Sequence, residues 1–169
     1  MNHIIPSALN NPSSNHLPVP NGEPVEVADL NYILKQALLK IKDVMEGHSI
    51  IMRCDQLPVI EGRQQDFLKL FQTIMQFVLS RPPVASKQFL YIKCEEEELA
   101  KEVMDLSGPA KTYIIQFYTN TSFDAYWQAG QQPLLAQCEQ IANSYSGSFA
   151  YTQFNSGCLF TLRLSGKPI

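Results

Sequence analysis

The sequence predicts an α/β domain of the α+β two-layer sandwich kind, with helices packed on one face of a mixed β-sheet. Three observations carry this. Apolar residues recur at helical spacing in three separated segments. Short runs rich in β-branched and aromatic residues lie between and after them, the last two close enough to form a hairpin. The resulting order is helix, strand, helix, two strands, helix, hairpin, and a helical layer over one sheet buries every apolar stripe in it. A chain of 169 residues, 45% apolar and 17% charged, can close such a core without disulfides or metals.

Residues 1–24 are rich in Asn, Ser and Pro, with prolines at 6, 12, 18, 20 and 24, and follow neither period. They read as a flexible tail ahead of a domain spanning 25–169. Within the tail, Leu17-Pro18-Val19-Pro20 has the composition of a short docking motif, because an extended proline-rich segment loses little entropy on binding. The first helix is expected over 28–46, where Leu30, Ile33, Leu34, Ala37, Leu38, Ile41, Val44 and Met45 form one stripe and Gly47 closes it. A strand follows over 49–54. The second helix, 64–80, carries Phe67, Leu70, Phe71, Ile74, Phe77 and Val78 on one side and is ended by Pro82-Pro83.

Strands are expected over 88–94 and 113–119, joined through the turn Ser107-Gly108-Pro109. The acidic run 95–98 reads as a solvated connection, since like charges repel one another and resist burial. The third helix is placed from Pro133, a favourable first-turn residue, and would bury Leu134, Leu135, Cys138, Ile141, Ala142 and Tyr145 before Gly147. Strands over 148–154 and 158–164 then form a hairpin around Asn155-Ser156-Gly157.

The net charge of −3, with no Lys/Arg stripe, argues against nucleic acid and against an anionic membrane surface as partners. No apolar run is long enough to span a bilayer, and the opening Met1-Asn2-His3-Ile4-Ile5-Pro6 lacks the features of a signal peptide. A cytoplasmic location is therefore expected. Cys54, Cys94, Cys138 and Cys158 are far apart, form no C-x-x-C pair and sit in apolar-patterned segments, so they are read as buried free thiols. His3, His16 and His48 are scattered, and none lies on a helix beside an acidic residue as a phosphate-accepting histidine would.

Three runs carry a family resemblance. Leu57-Pro58-Val59-Ile60-Glu61-Gly62 leads into a helix bearing Phe67, Leu70, Phe71, Gln72 and Ile74. Leu135-Ala136-Gln137-Cys138-Glu139-Gln140-Ile141 runs on to Ser146-Gly147-Ser148, and Asn155-Ser156-Gly157-Cys158-Leu159-Phe160-Thr161-Leu162 closes the domain. Together they resemble the ATP-binding domain of sensor histidine kinases, of the GHKL superfamily, with its "LP-x-v-x-G-D" entry, its "Q-N-L-x-x-N-A" helix, its "H-G-G" exit and its "G-x-G-t-x-F-x-x-x-L-P" end. The likeness runs from about Val25 to Leu164.

The resemblance also implies where nucleotide chemistry would sit, and this chain departs from the family at those positions. Thr73 and Phe77 stand at the two Asn positions of the helix motif, and a benzyl group offers no oxygen to magnesium. Ser80 replaces a lysine near phosphate, and the neighbouring Arg81 leaves the helix in another direction. The adenine-binding "D-x-G-x-G" reads Tyr118-Thr119-Asn120-Thr121-Ser122, so Tyr118 replaces the acid while Asn120 and Ser122 replace glycines. Asp124 is read as a solvent-facing loop residue. In the phosphate loop Gly130 matches the first glycine, whereas Gln132 and Leu134 replace the others, and the family's lid is absent. Tyr118, Phe123, Tyr126 and Trp127 are expected to converge on the vacated site, with Phe123 as a plug and Tyr126 and Trp127 as interaction candidates.

The expected function is a non-catalytic protein-interaction or regulatory module in two-component signal transduction, with ATP and magnesium binding lost. Its partner would be another signalling protein, such as a response regulator or kinase. The alternatives are a divergent ATP-binding kinase or part of a phosphotransfer protein. The oligomeric state is left open by the sequence.

Overall fold

Asp29 sets the entry into the fold. Its side chain accepts hydrogen bonds from the backbone N–H groups of Asn31 (2.9 Å) and Tyr32 (3.3 Å), satisfying donors that the first turn of a helix leaves open. In the computed structural model, which describes residues 26–45, 49–79, 87–98, 111–122 and 125–166, strand β1 (Val27–Asp29) ends at that cap and α1 (Leu30–Lys40) begins. The side chains of residues 44, 45, 98 and 125–129 are outside the description.

The expected helix over 28–46 is therefore three elements. Ala28 lies in β1, the helical path breaks at Ile41 (φ −104°, ψ 10°), and a short α2 (Lys42–Met45) follows. The apolar stripe nonetheless packs as read: Leu30, Ile33, Leu34, Ala37 and Ile41 are buried. β1 pairs with β3 (Val59–Glu61) in a two-stranded antiparallel ribbon that periodicity could not reveal, because three-residue strands carry too little pattern.

The main sheet holds β2 (Ile50–Cys54), β4 (Gln88–Glu98), β5 (Lys111–Thr119), β6 (Ser148–Phe154) and β7 (Gly157–Gly166) in the order β2-β4-β5-β7-β6. β2 runs parallel to β4 and every other pair is antiparallel. The acidic run, expected to be a connection, is the end of β4 and pairs with β5 as far as Glu98 opposite Lys111. Cations neutralise it there: Glu95 is bridged to Lys93, Glu96 to Lys111, and Glu97 to Arg163 at 3.5 Å.

The helices α3 (Gln64–Leu79) and α4 (Ala125–Ser144) cover one face of this sheet. Phe71 of α3 meets Phe117 of β5 edge-on at 5.6 Å, and Leu135, Cys138 and Ala142 of α4 join the same core. α4 starts eight residues before the expected boundary and contains Pro133, which is exposed, so the interrupted hydrogen-bond ladder faces water. Tyr145 then ties the end of α4 to the start of α3. Its hydroxyl accepts from the Arg63 N–H (3.1 Å) and donates to Asp66 (2.7 Å), and its ring lies 4.5 Å from that of Phe67. Gly62 permits this approach: it has φ +147°, and a Cβ there would lie 2.5 Å from the Tyr145 ring.

Candidate functional site

α3 brings Thr73 and Phe77 to the helix–sheet interface one turn apart, and both are buried. Thr73 spends its hydroxyl on the Lys69 carbonyl at 2.9 Å, a bond within its own helix. Phe77 is 4% exposed and meets the ring of Phe160 on β7 at 6.1 Å. Phe160 is flanked in turn by Phe149 and Tyr151 of β6, each at 6.1 Å. The position that the family resemblance gives to a magnesium ligand is thus part of an aromatic layer.

Tyr118 is elsewhere. Side chains alternate across a strand, and Phe117 faces α3, so Tyr118 points to the opposite face of the sheet, which no helix among the described residues covers. Its ring lies 6.4 Å from Tyr91, which stacks with Phe89 at 6.3 Å and has the Arg53 guanidinium 6.0 Å away. Tyr118 therefore does not converge on the interface that holds Phe77, and that expectation is corrected.

Asn120 has a structural task. Its side-chain oxygen accepts from the Phe89 N–H (2.8 Å) and its amide donates to the Lys87 carbonyl (2.9 Å), fixing the start of β4 against the end of β5. Ser122 is half-buried beyond it. Gly130, Gln132 and Leu134 lie on the exposed side of α4, where they form helix rather than a loop. Phe123 and Asp124 lie outside the described residues, as do Ser80, Arg81, the three histidines, residues 1–25 and the turn at 107–109. Tyr126 and Trp127 lie on the helical backbone of α4, but their side chains are outside the description.

What sequence reasoning missed is a buried polar cluster at the same end of the sheet. Gln88 is fully buried, and its Nε2 donates to the Val78 carbonyl (2.6 Å) and to Thr121 Oγ1 (2.8 Å). Thr119 is also fully buried, and its hydroxyl lies 3.2 Å from Thr121 Oγ1. Among the described residues Gln88 Oε1 has no partner. These groups are neutral, so the cluster offers no charge to a phosphate or a cation. Among the described residues no group of His, Cys, Asp or Glu is placed to hold a metal.

A hollow of about 400 Å³, lined by Glu26, Val27, Arg63, Gln64, Gln65 and Asp66, opens at the other end of α3. Phe77 is 13 residues along the helix from Gln64, roughly 20 Å away at the ordinary helical rise. The cysteines divide. Cys138 and Cys158 are buried, and burial pushes their thiols up to about 12 and about 11. Cys94 is only half-buried and Cys54 is exposed, against the expectation; Cys54 lies on the edge strand β2 and Cys94 on β4 beside it.

No family model and no curated protein matches the chain. Solved structures do. Acinetobacter baumannii histidine kinase AdeS superposes with a TM-score of 0.60 at 13% identity, over 83% of this chain and 66% of that one. The catalytic domain of histidine kinase ThkA matches with a TM-score of 0.60 at 9% identity, over 86% of this chain and 97% of that one. A mycobacterial sensor histidine kinase, MprB, matches with a TM-score of 0.58 at 8% identity, over 85% of this chain and all of that one. No helix among the described residues is long and apolar enough to cross a membrane. With its helices on one face of a mixed sheet and these likenesses spanning most of its length, the chain has the fold of a histidine kinase ATPase domain.

Proposed function

We propose that this chain is a non-catalytic histidine kinase-like domain that serves two-component signal transduction as a protein-interaction or regulatory module. Its partner in this reading is a response regulator or a kinase, and it works without ATP or magnesium. The observation that carries the proposal is the burial of Phe77 against Phe160. A side chain that fills the core cannot also leave room for a hydrated divalent cation, which requires oxygen ligands in near-octahedral array. The course of α4 through Gly130, Gln132 and Leu134 supports it further, because helical backbone donors in mid-helix are already taken by carbonyls.

One observation favours the divergent ATP-binding reading: Gln88 Oε1 is a buried acceptor without a partner among the described residues, and a purine amine is a donor of the right kind. Titration with fluorescent ATP in magnesium separates the two. The non-catalytic module should show no saturable binding tighter than about 100 μM, equivalent to about −5.5 kcal/mol. Tighter, magnesium-dependent binding would establish the alternative.

A further inference from the structure

The face of the sheet opposite α3 and α4 carries an apolar patch at the end where β4 begins and β5 finishes. Phe89 and Tyr91 stack 6.3 Å apart on β4, Tyr118 of β5 lies 6.4 Å from Tyr91, and Leu159 of β7 stands opposite Tyr118. Ile51, opposite Phe89, extends the row to β2 and is 39% exposed, and the Arg53 guanidinium sits 6.0 Å from the Tyr91 ring. Phe89, Tyr91, Tyr118 and Leu159 are half-buried, and no helix among the described residues covers them. Toward its other end the same face turns charged, with Lys93 bridged to Glu95 and Arg163 to Glu97. Aromatic rings side by side are the kind of surface on which proline-rich segments dock. A polyproline II backbone keeps its carbonyls unpaired, so tyrosine hydroxyls can donate to them while the proline rings lie on the aromatic faces.

We infer that this patch is the docking site of the chain's own Leu17-Pro18-Val19-Pro20, with Pro18 over the Tyr91 and Tyr118 rings and Leu17 toward Phe89 and Ile51. Reach selects that segment. The Glu26 carbonyl accepts from the Gly62 N–H at 2.8 Å, and the side chain of Ile60 nearby comes within 3.3 Å of where a Cβ on Gly166 would lie. Gly166 pairs with Lys111, so residue 26 enters the fold at the charged end of β5 and β7. Lys111 to Tyr118 is seven residues of strand, about 24 Å. Glu26 back to Pro18 is eight residues, about 25 Å as polyproline II and up to about 29 Å at full extension, which covers that climb and the passage under the sheet edge. Pro20, six residues from Glu26, stops at about 22 Å and falls short of the rings. Residues 1–22 contain no Asp, Glu, Lys or Arg, so the segment buries no carboxylate against the row and brings no Lys or Arg to Arg53. Docked, it withdraws the patch from water and from unspecific partners.

A photo-crosslinking side chain placed at Val19 of the whole chain tests the contact. Peptide mapping should find it joined to 89–93 of β4 or 116–119 of β5, and a mixture of isotope-labelled and unlabelled chain should give no links between copies. Titration supplies a second reading. The link through 21–25 holds the segment at an effective concentration of about 1 mM, which against an intrinsic dissociation constant of about 100 μM keeps it docked about ten to one. Leu17→Ser with Pro18→Ala in the whole chain should therefore free the patch, so that a labelled peptide of residues 14–23 binds about tenfold more tightly than it binds the parent. Adding Tyr118→Leu, which keeps apolar volume on the strand but removes the ring and its hydroxyl, should lose that gain. Links to other segments or between copies, equal peptide affinity in the parent and the freed chain, or a gain indifferent to Tyr118→Leu would each overturn the inference.

Discussion

Replacing Phe77 by asparagine restores the residue type that the family resemblance implies and asks whether the site or the core governs this position. Phe77 is 4% exposed, so nearly the whole ring is withdrawn from water, and its edge contact with Phe160 at 6.1 Å is lost with it. Truncating a buried phenylalanine costs about 3 to 5 kcal/mol through lost transfer energy and the cavity left behind. Asparagine refills part of that space but brings an amide whose donors and acceptor need partners, and one buried unsatisfied group costs about 1 to 3 kcal/mol. The two terms offset in volume and add in polarity, so a net loss of about 4 kcal/mol is expected. For a domain of this length that lowers the melting temperature by roughly 10 to 15 °C. Scanning calorimetry with and without magnesium-ATP reads both halves of the argument. The variant should melt early and gain nothing from the ligand. A melting point within about 2 °C of the parent, which is less than about 1 kcal/mol, would mean that an amide fits there without penalty and that the aromatic layer is not what holds α3 to the sheet.

Two further outcomes are expected. Burial, and then the hydrogen bond donated to Asp66, hold the Tyr145 phenol above its ordinary value near 10. A raised folded-state value contributes stability that is fully present below about pH 10 and is lost as pH rises through it, so the parent should lose melting temperature on the alkaline side. Tyr145→Phe should cost about 1 to 1.5 kcal/mol at neutral pH and flatten that alkaline limb; equal slopes in the two proteins would assign the alkaline loss elsewhere. The thiols should also separate by reactivity: a maleimide at pH 8 should modify Cys54 first and reach Cys138 and Cys158 only on unfolding, as peptide mapping would show, since both are buried and pushed up to about 12 and about 11. Early labelling of Cys138 would place α4 off the sheet.

The sequence was legible where one period ran long enough to be unambiguous. α3 ends within a residue of its expected limit among the described positions, because a stripe from Phe67 to Val78 admits only one helical face. Local signals misled where a tertiary partner outweighed them. Glu95, Glu96 and Glu97 look like a loop until Lys93, Lys111 and Arg163 arrive across the strands. Pro133 looks like a helix start until its exposed side lets the ladder break toward water. The site was the least legible part. Whether Tyr118 faces the helices or the open side of the sheet turns on a one-residue register, and spacing from a family motif cannot fix that while Phe117 beside it is equally aromatic.

The same register bears on what the remaining buried polarity is for. Gln88, Thr119 and Thr121 share the interface with Phe77, and polar groups there invite a ligand reading. Their bonds point inward instead: Gln88 Nε2 joins the Val78 carbonyl near the end of α3 to Thr121 beyond β5, and the Thr121 N–H donates to Thr119 Oγ1 at 3.3 Å. Left without a partner among the described residues, Gln88 Oε1 costs about 1 to 3 kcal/mol, and the two bonds that tie α3 and the segment after β5 to β4 offset a loss of that size. The cluster holds no charged group, so it lacks the charge-assisted hydrogen bonds that bind a phosphate most strongly. The cluster instead fixes α3 in rotation and height over the sheet, and that places Phe77 against Phe160. Phe77 and the polar cluster are then parts of one packed interface between α3 and the sheet.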